Sequence, residues 1–281
     1  MFARIVAVLF VILAWDSLLL AQEATEPAKD EGLSEKLQAT LWVQTSLEYE
    51  VACRQAYRQA EQKLTEAIAN PNRSAATEQS ANFAALPPAV ILDVDETVLD
   101  NSPFNARLVK TRGIYTPTAW AKWCNEVNAI AIPGSKEFIQ KAKSMGAAVF
   151  FVTNRDAALK DVTRQNLVKV LGMDVPSGNL LLKNERQEWT STKTKRRAHV
   201  ANTHRIALLV GDDVNDFVSL GKLTPAQRKH FSEHFAASWG HHWILLPNPI
   251  YGSWEKSLYE YNFNRTPDAK RELLLNGLRT K

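Results

Sequence analysis

Cysteine is scarce, with two residues, Cys53 and Cys124, in a chain of 281. They lack metal-ligand spacing and can form at most one bridge, so they decide neither metal binding nor compartment, and the length of the chain excludes a disulfide-stapled mini-protein. Charge of one sign is also missing. Lys plus Arg outnumber Asp plus Glu by only 34 to 30, and the single short basic cluster, 193–197, gives nucleic-acid binding no support. No apolar run is long enough for a stable membrane span. The longest, Ile5 to Trp15, falls short of bilayer thickness. No internal repeat is visible. The chain has 45% hydrophobic and 23% charged residues, a balance typical of globular domains.

Arg4 ahead of that short apolar run reads as a secretory signal peptide over 1–24, with Ala21 or Ala24 as the small residue for cleavage. The chain is therefore expected to be exported, to the periplasm or outside the cell. No cysteine lies near the cut, so a lipid anchor is not supported. An uncleaved interfacial anchor is the alternative. Residues 22–32 have the composition of a solvated linker. Between Leu33 and Asn70 no Pro or Gly intervenes, and Ala52, Ala56, Ala60, Leu64 and Ile68 recur every four residues, predicting one long helix or two shorter ones within an N-terminal segment, 25–88.

Five short apolar runs follow: 89–94, 147–152, 180–182, 206–210 and 243–246. Runs apolar at consecutive positions mark strands buried on both faces. Helical patterns fill the intervals, at 135–145, 159–171, 192–201 and 225–238. The expected fold is α/β, a doubly wound, Rossmann-like parallel sheet over 89–260, with a small helical insertion near 101–133 and a C-terminal tail, 261–281.

Open parallel sheets bind ligands at the carboxyl ends of their strands. Those ends are acidic and polar here: Asp93, Asp95, Glu96 and Thr97 after the first run; Thr153, Asn154 and Arg155 after the second; Asp212, Asp213 and Asp216 after the fourth; and Lys193 and Lys195 ahead of it. Carboxylates with hydroxyl, amide and ammonium groups suit a Mg²⁺ ion and a phosphate. An Asp at the tip of a buried strand can attack phosphorus, which makes Asp93 the candidate nucleophile. Asp95, two residues on, can protonate the leaving group and then activate water. Any one of these acids alone could instead be the N-cap of a following helix.

The stretches ILDVDETVLDNSPF (91–104), FFVTNR (150–155), LLLK (180–183) with Lys193, and GDDVNDF (211–217) resemble, in order, the four motifs of the haloacid dehalogenase-like phosphohydrolases. WVQTSLEYE (42–50), Trp120, Trp123 and LLPNPIYGSWE (245–255) resemble, more narrowly, the class C acid phosphatases. The resemblance covers roughly residues 40–260. It implies Asp93 as nucleophile, Asp95 as acid and base with its main-chain carbonyl on Mg²⁺, and Thr153 with Asn154 on the phosphate. It further implies Asp212 as metal ligand, supported by Asp216, and Trp120 with Tyr251 flanking the leaving group, although aromatics of this kind often belong to a core. For the motif lysine, Lys193 is preferred to Lys195 because its distance to Arg196 and Arg197 fits better, with Lys183 a third candidate.

The activity so implied is a secreted, Mg²⁺-dependent acid phosphatase acting on small phosphomonoesters, nucleoside 5′-monophosphates and aryl phosphates, through an aspartyl phosphate. Self-association is left open. A phosphoacceptor signalling domain fails on order, because nothing acidic directly follows Leu182. A non-catalytic surface binding protein retaining the fold is the remaining alternative. His230 and His234, four apart, lack the neighbouring Glu of a zinc hydrolase motif and read as solvated.

Overall fold

The computed structural model describes residues 35–80 and 82–280. The signal-peptide segment, 1–24, lies outside them. Two helices open the described chain, α1 (Leu37–Thr45) and α2 (Leu47–Ala69). They are divided at Ser46, whose extended backbone breaks the helix while its hydroxyl accepts the Tyr49 N–H at 3.1 Å, capping α2. The buried face of α2 is Tyr49, Cys53, Tyr57, Ala60 and Leu64. The alanine stripe expected from sequence is thus only partly buried: Ala52, Ala56 and Ile68 sit at its margin. The larger Cys53 and Tyr57 side chains, one helical position further on, displace more water when they face the core.

The central sheet is parallel, in the order β5 (Leu180–Lys183), β4 (Ala148–Asp156), β1 (Pro88–Leu92), β6 (Arg205–Gly211), β7 (Trp243–Leu245). All five predicted apolar runs are strands of it. Side chains alternate between its faces. Val90 and Leu92 join one core with α2, α5 (Ser135–Ser144) and α6 (Lys160–Leu171); Ala89 and Ile91 join another with Trp189, Val200, Phe217 and Trp243. The second face is covered by α7 (Thr194–Ala201) and by the 70–87 loop, which is anchored where Trp243 Nε1 donates to the Ala75 carbonyl at 2.7 Å.

Between β1 and α5 the insertion forms a small unit of its own. A two-stranded antiparallel ribbon, β2 (Leu99–Asp100) with β3 (Ile130–Ala131), closes the base of α3 (Ser102–Thr111) and α4 (Pro117–Asn125). The helical expectation for this stretch omitted the ribbon, because two-residue strands carry no readable alternation. Helix α8 (Pro225–His234) stops four residues earlier than its pattern, and α9 (Ser253–Leu258) follows β7. The segment read as a tail contains α10 (Pro267–Asn276), capped by Thr266 and tied to α1's approach by Arg271 on Glu35 at 2.6 Å. Among the described residues no helix is long and apolar enough to cross a membrane.

Candidate active site

At the end of β1 the Asp93 N–H donates to the Val210 carbonyl at 3.0 Å, which fixes the strand tip against β6. The chain then turns sharply. The N–H groups of Val98 and Leu99 both return to the Val94 carbonyl, at 2.9 and 2.8 Å, and Glu96 takes a left-handed φ of +55°. That conformation costs a side-chain-bearing residue on the order of 1–3 kcal/mol, so its surroundings must hold it. They do so through the Asn101 N–H on Glu96 Oε1 at 3.0 Å and the Tyr57 hydroxyl, which donates from α2 to the Thr97 carbonyl at 2.5 Å.

Three carboxylates converge beside this turn. Asp93, Asp212 and Asp216 each bring an oxygen within 4.8 Å of the others. Lys193, at the start of α7 and 5% exposed, places Nζ 2.6 Å from Asp93 Oδ1 and 2.6 Å from Asp216 Oδ1. Asp212 accepts from Thr97 Oγ1 at 3.2 Å and from Asn248 Nδ2 at 2.8 Å. Asp216 also accepts the Asp213 N–H at 2.9 Å and packs so closely on Gly211 that a Cβ there would lie 2.4 Å from Asp216 Oδ2. Only glycine fits.

Burial, with the charges of Asp216 and Asp95, pushes the Asp93 carboxyl up to about 7 against the opposing pull of Lys193. Burial, with Asp216 and Asp93, holds the Asp212 carboxyl well above the usual carboxylate range. Lys193 is held above its ordinary value, because Asp216 and Asp93 outweigh the cost of its burial. One ammonium faces three acids, Asp216 buried and Asp93 and Asp212 half-buried. The donor set is all hard oxygen, crowded by like charge, and it fits a hard divalent metal ion.

Asp95 faces a different set of partners. Its Oδ1 accepts Arg155 Nη2 at 2.8 Å, Arg155 Nε at 3.0 Å and Asn101 Nδ2 at 2.9 Å, leaving Oδ2 with the Thr153 hydroxyl at 3.4 Å. Asn101 is aligned in turn by Trp123 Nε1 on its Oδ1 at 2.8 Å. Thr153 is fully buried within β4, three residues before its end. Arg196, from α7, donates to the Thr153 carbonyl and, at 2.7 Å, to Asn154 Oδ1. The Asn154 amide donates to the Ser191 carbonyl at 3.0 Å.

The other sequence candidates fall as follows. Lys195 is exposed on α7, and Lys183 pairs in strand register with Asp156, so among the three lysines Lys193 is the one brought to the acids. Trp120 lies on α4 with the Arg155 guanidinium 5.4 Å from its ring and packs edge-on to Phe104 at 5.1 Å. Tyr251 is tied towards the cluster by its backbone alone, its N–H donating to Asn248 Oδ1 at 3.4 Å, while its ring packs on the core with the Lys36 ammonium 5.6 Å from its centre. Trp123 is buried and serves Asn101. His230 is exposed on α8, 4.0 Å from Glu233. Cys53 and Cys124 are separate, buried thiols.

Sequence reading assigned no role to Arg155, Asn101, Arg196, Thr97 or Asn248. Arg155, in the C-terminal part of β4, and Thr97, in the turn after β1, lie near strand carboxyl ends and so carried a positional signal. Asn101 and Asn248 lie in the stretches 91–104 and 245–255 that carried the resemblance, but their roles follow only from what folds against them.

Acids just beyond β1 and β6, a hydroxyl and amide in the C-terminal part of β4 and the lysine that precedes α7 meet at the carboxyl edge of a haloacid dehalogenase-type fold. The family model for HAD superfamily, subfamily IIIB (acid phosphatase), matches residues 17–254, and the chain belongs to that family. The class C acid phosphatase from Bacillus anthracis superposes with a TM-score of 0.78 at 34% identity, over 88% of this chain and 97% of that one. The same enzyme with tungstate bound gives 0.76 at 32% identity, over 88% and 97%. Acid phosphatase 1 of Solanum lycopersicum is 26% identical over 165 residues, and the match spans 57% of this chain and 57% of that curated relative.

Proposed function

We propose that the chain is an exported, Mg²⁺-dependent acid phosphatase that hydrolyses small phosphomonoesters, nucleoside 5′-monophosphates and aryl phosphates among them, through an aspartyl phosphate on Asp93. The observation that carries the reading is the convergence of Asp93, Asp212, Asp216 and Lys193, from three separate stretches of chain, at one edge of the sheet. The tungstate bound by the B. anthracis enzyme, an oxyanion of phosphate-like charge, supports it. Export rests on the signal-peptide reading of residues 1–24.

In this mechanism an Asp93 carboxylate oxygen attacks phosphorus while the ester P–O bond breaks. Asp95 gives its proton to the departing alkoxide, then takes a proton from the water that cleaves the acyl phosphate and frees inorganic phosphate. Arg155 and Asn101 occupy Asp95 Oδ1 and leave Oδ2 the less engaged oxygen for that transfer. Lys193, Thr153 and Asn154 hold phosphate oxygens, and Trp120 and Tyr251 border the leaving group. Asp93, Asp212 and the Asp95 carbonyl would hold Mg²⁺, with Asp216 supporting; when bound, the ion offsets the charge that the acids and phosphate bring together.

The test is a panel of phosphate esters assayed with Mg²⁺ and with excess chelator. Turnover that vanishes in chelator and returns with Mg²⁺ is expected. Full activity without divalent metal would overturn the metal role, and no turnover of any ester would favour the non-catalytic binder.

A further inference from the structure

The loop after β7 is fastened to the acidic turn after β6 at two points. The first is Asn248, whose two amide ends face different partners: Nδ2 donates to Asp212 Oδ2 at 2.8 Å, and Oδ1 accepts the Ile250 N–H at 3.0 Å and the Tyr251 N–H at 3.4 Å. The second is Ser253, whose N–H and hydroxyl both donate to Asp213, at 2.5 and 2.7 Å, with Arg228 Nη1 donating to that hydroxyl at 2.7 Å. Between them Gly252 has a φ of +155°, and a Cβ there would lie 2.9 Å from Trp254 Cδ1 and 3.2 Å from Asp213 Oδ2. Tyr251 stands between the two fastenings. Its backbone position is therefore set by two consecutive acids, Asp212, which belongs to the cation cluster, and Asp213, which does not.

Only an asparagine-sized amide does both jobs at position 248. A carboxylate could receive the two N–H groups but would face Asp212 with like charge, and a hydroxyl could receive an N–H but is too short to reach Asp212 as well. We infer that Asn248 is a positioning residue coupling the cation site to leaving-group selection: its amide orients Asp212 and at the same time fixes the backbone that carries Tyr251. The inference rests on the proposed function, because it takes Asp212 as a metal ligand and Tyr251 as a leaving-group contact. By linkage, whatever metal binding gains from a bound aromatic phosphate analogue, that analogue gains equally from metal.

The experiment compares wild type, Asn248→Ala, Asn248→Ser, Tyr251→Ala and the Asn248→Ala/Tyr251→Ala double variant. Mg²⁺ affinity is measured by titration calorimetry alone and with phenylphosphonate or methylphosphonate, and kcat/KM is measured on phenyl phosphate and a small alkyl phosphate. Asn248→Ser keeps an acceptor for the Ile250 N–H, so it guards against loss of the loop fold. In wild type, phenylphosphonate should tighten Mg²⁺ binding more than methylphosphonate does, by a factor on the order of five or more, and both Asn248 variants should remove that difference between the two analogues. These variants should also weaken Mg²⁺ alone and lower the preference for phenyl over alkyl phosphate. Tyr251→Ala should lower the preference while leaving Mg²⁺ affinity alone unchanged, and the double variant should be no less selective than Asn248→Ala. Unchanged Mg²⁺ affinity in both Asn248 variants, or selectivity losses that add in full, would overturn the coupling. If wild type binds Mg²⁺ but cleaves neither ester, the proposed function fails, while the calorimetric arm still decides whether Asn248 acts on the cation site.

Discussion

The Lys193 ammonium lies 2.6 Å from Asp93 and bridges it to Asp216, which is also 2.6 Å away. One compact cation thus separates the acid at the tip of β1 from the acid beyond β6. A lysine suits this role better than an arginine, because its charge is a point that can sit between two carboxylates. Lys193→Met should lower turnover on the order of 10²- to 10³-fold, as for other lost donors to a developing anion, and Lys193→Arg should restore little of it. Steady-state kinetics check this. In chelator the Met variant should also melt below wild type, because two buried acids lose their shared partner.

Asp93 and Asp95 differ in surroundings, and their variants should differ in kind. Asp93→Asn should give no covalent phosphoenzyme and essentially no turnover. Asp95→Asn should lose on the order of 10²- to 10⁴-fold on alkyl phosphates, and less on esters whose leaving groups need no proton. Trapping with radiolabelled phosphate ester, together with a leaving-group series, separates the two. Substantial activity in Asp93→Asn would reverse the assignment.

Gly211→Ala tests the close approach directly. A methyl 2.4 Å from Asp216 Oδ2 cannot be accommodated unless Asp216 moves, and with it the contacts to Lys193 and the Asp213 N–H. Activity should fall sharply and Mg²⁺ affinity should weaken, whereas Gly178→Ala, with open space around its Cβ position, should alter neither. Equal behaviour of the two variants would show that Asp216 is not held where the structure has it.

Both thiols are buried, and burial pushes Cys53 up to about 11 and Cys124 up to about 12. Native protein at pH 8 should therefore resist a thiol reagent that modifies two groups once the chain is unfolded. The sign of the linkage also follows. The folded thiols keep their protons above the ordinary thiol value of about 8.5, where the unfolded chain loses them, so stability should decline from about pH 8.5 upward. Chemical denaturation at pH 8 and pH 10 reads the difference. Rapid native labelling of either cysteine would contradict its burial.

Much of this architecture is carried by local pattern. Consecutive apolar residues can be buried only where both faces of a strand are covered, so 89–94, 147–152, 180–182, 206–210 and 243–246 announce a parallel sheet, and its carboxyl ends announce Asp93, Thr153 and Asp212. What the pattern left out also has physical reasons. On α2 the four-residue period shares Ala60 and Leu64 with the buried face, but in the earlier turns Cys53 and Tyr57, one position beyond Ala52 and Ala56, turn inward instead. In the insertion, a two-residue ribbon is too short to show alternation. In the 261–281 segment, α10 is helical although its exposed apolar and charged residues give no clear buried stripe.

The sequence by itself determined the class of sheet, the order of the strands along the chain and the acids at their ends, because these depend on neighbours a few residues apart. Which lysine meets Asp93, which arginine holds Asp95, and how Asn248 joins Asp212 to Tyr251 were decided only by tertiary structure. Arg155 lies 60 residues from Asp95, and Asn248 lies 36 from Asp212. A hydrogen bond requires donor and acceptor within about 3 Å, a condition on positions in space that spacing along a chain cannot express until the sheet has assembled.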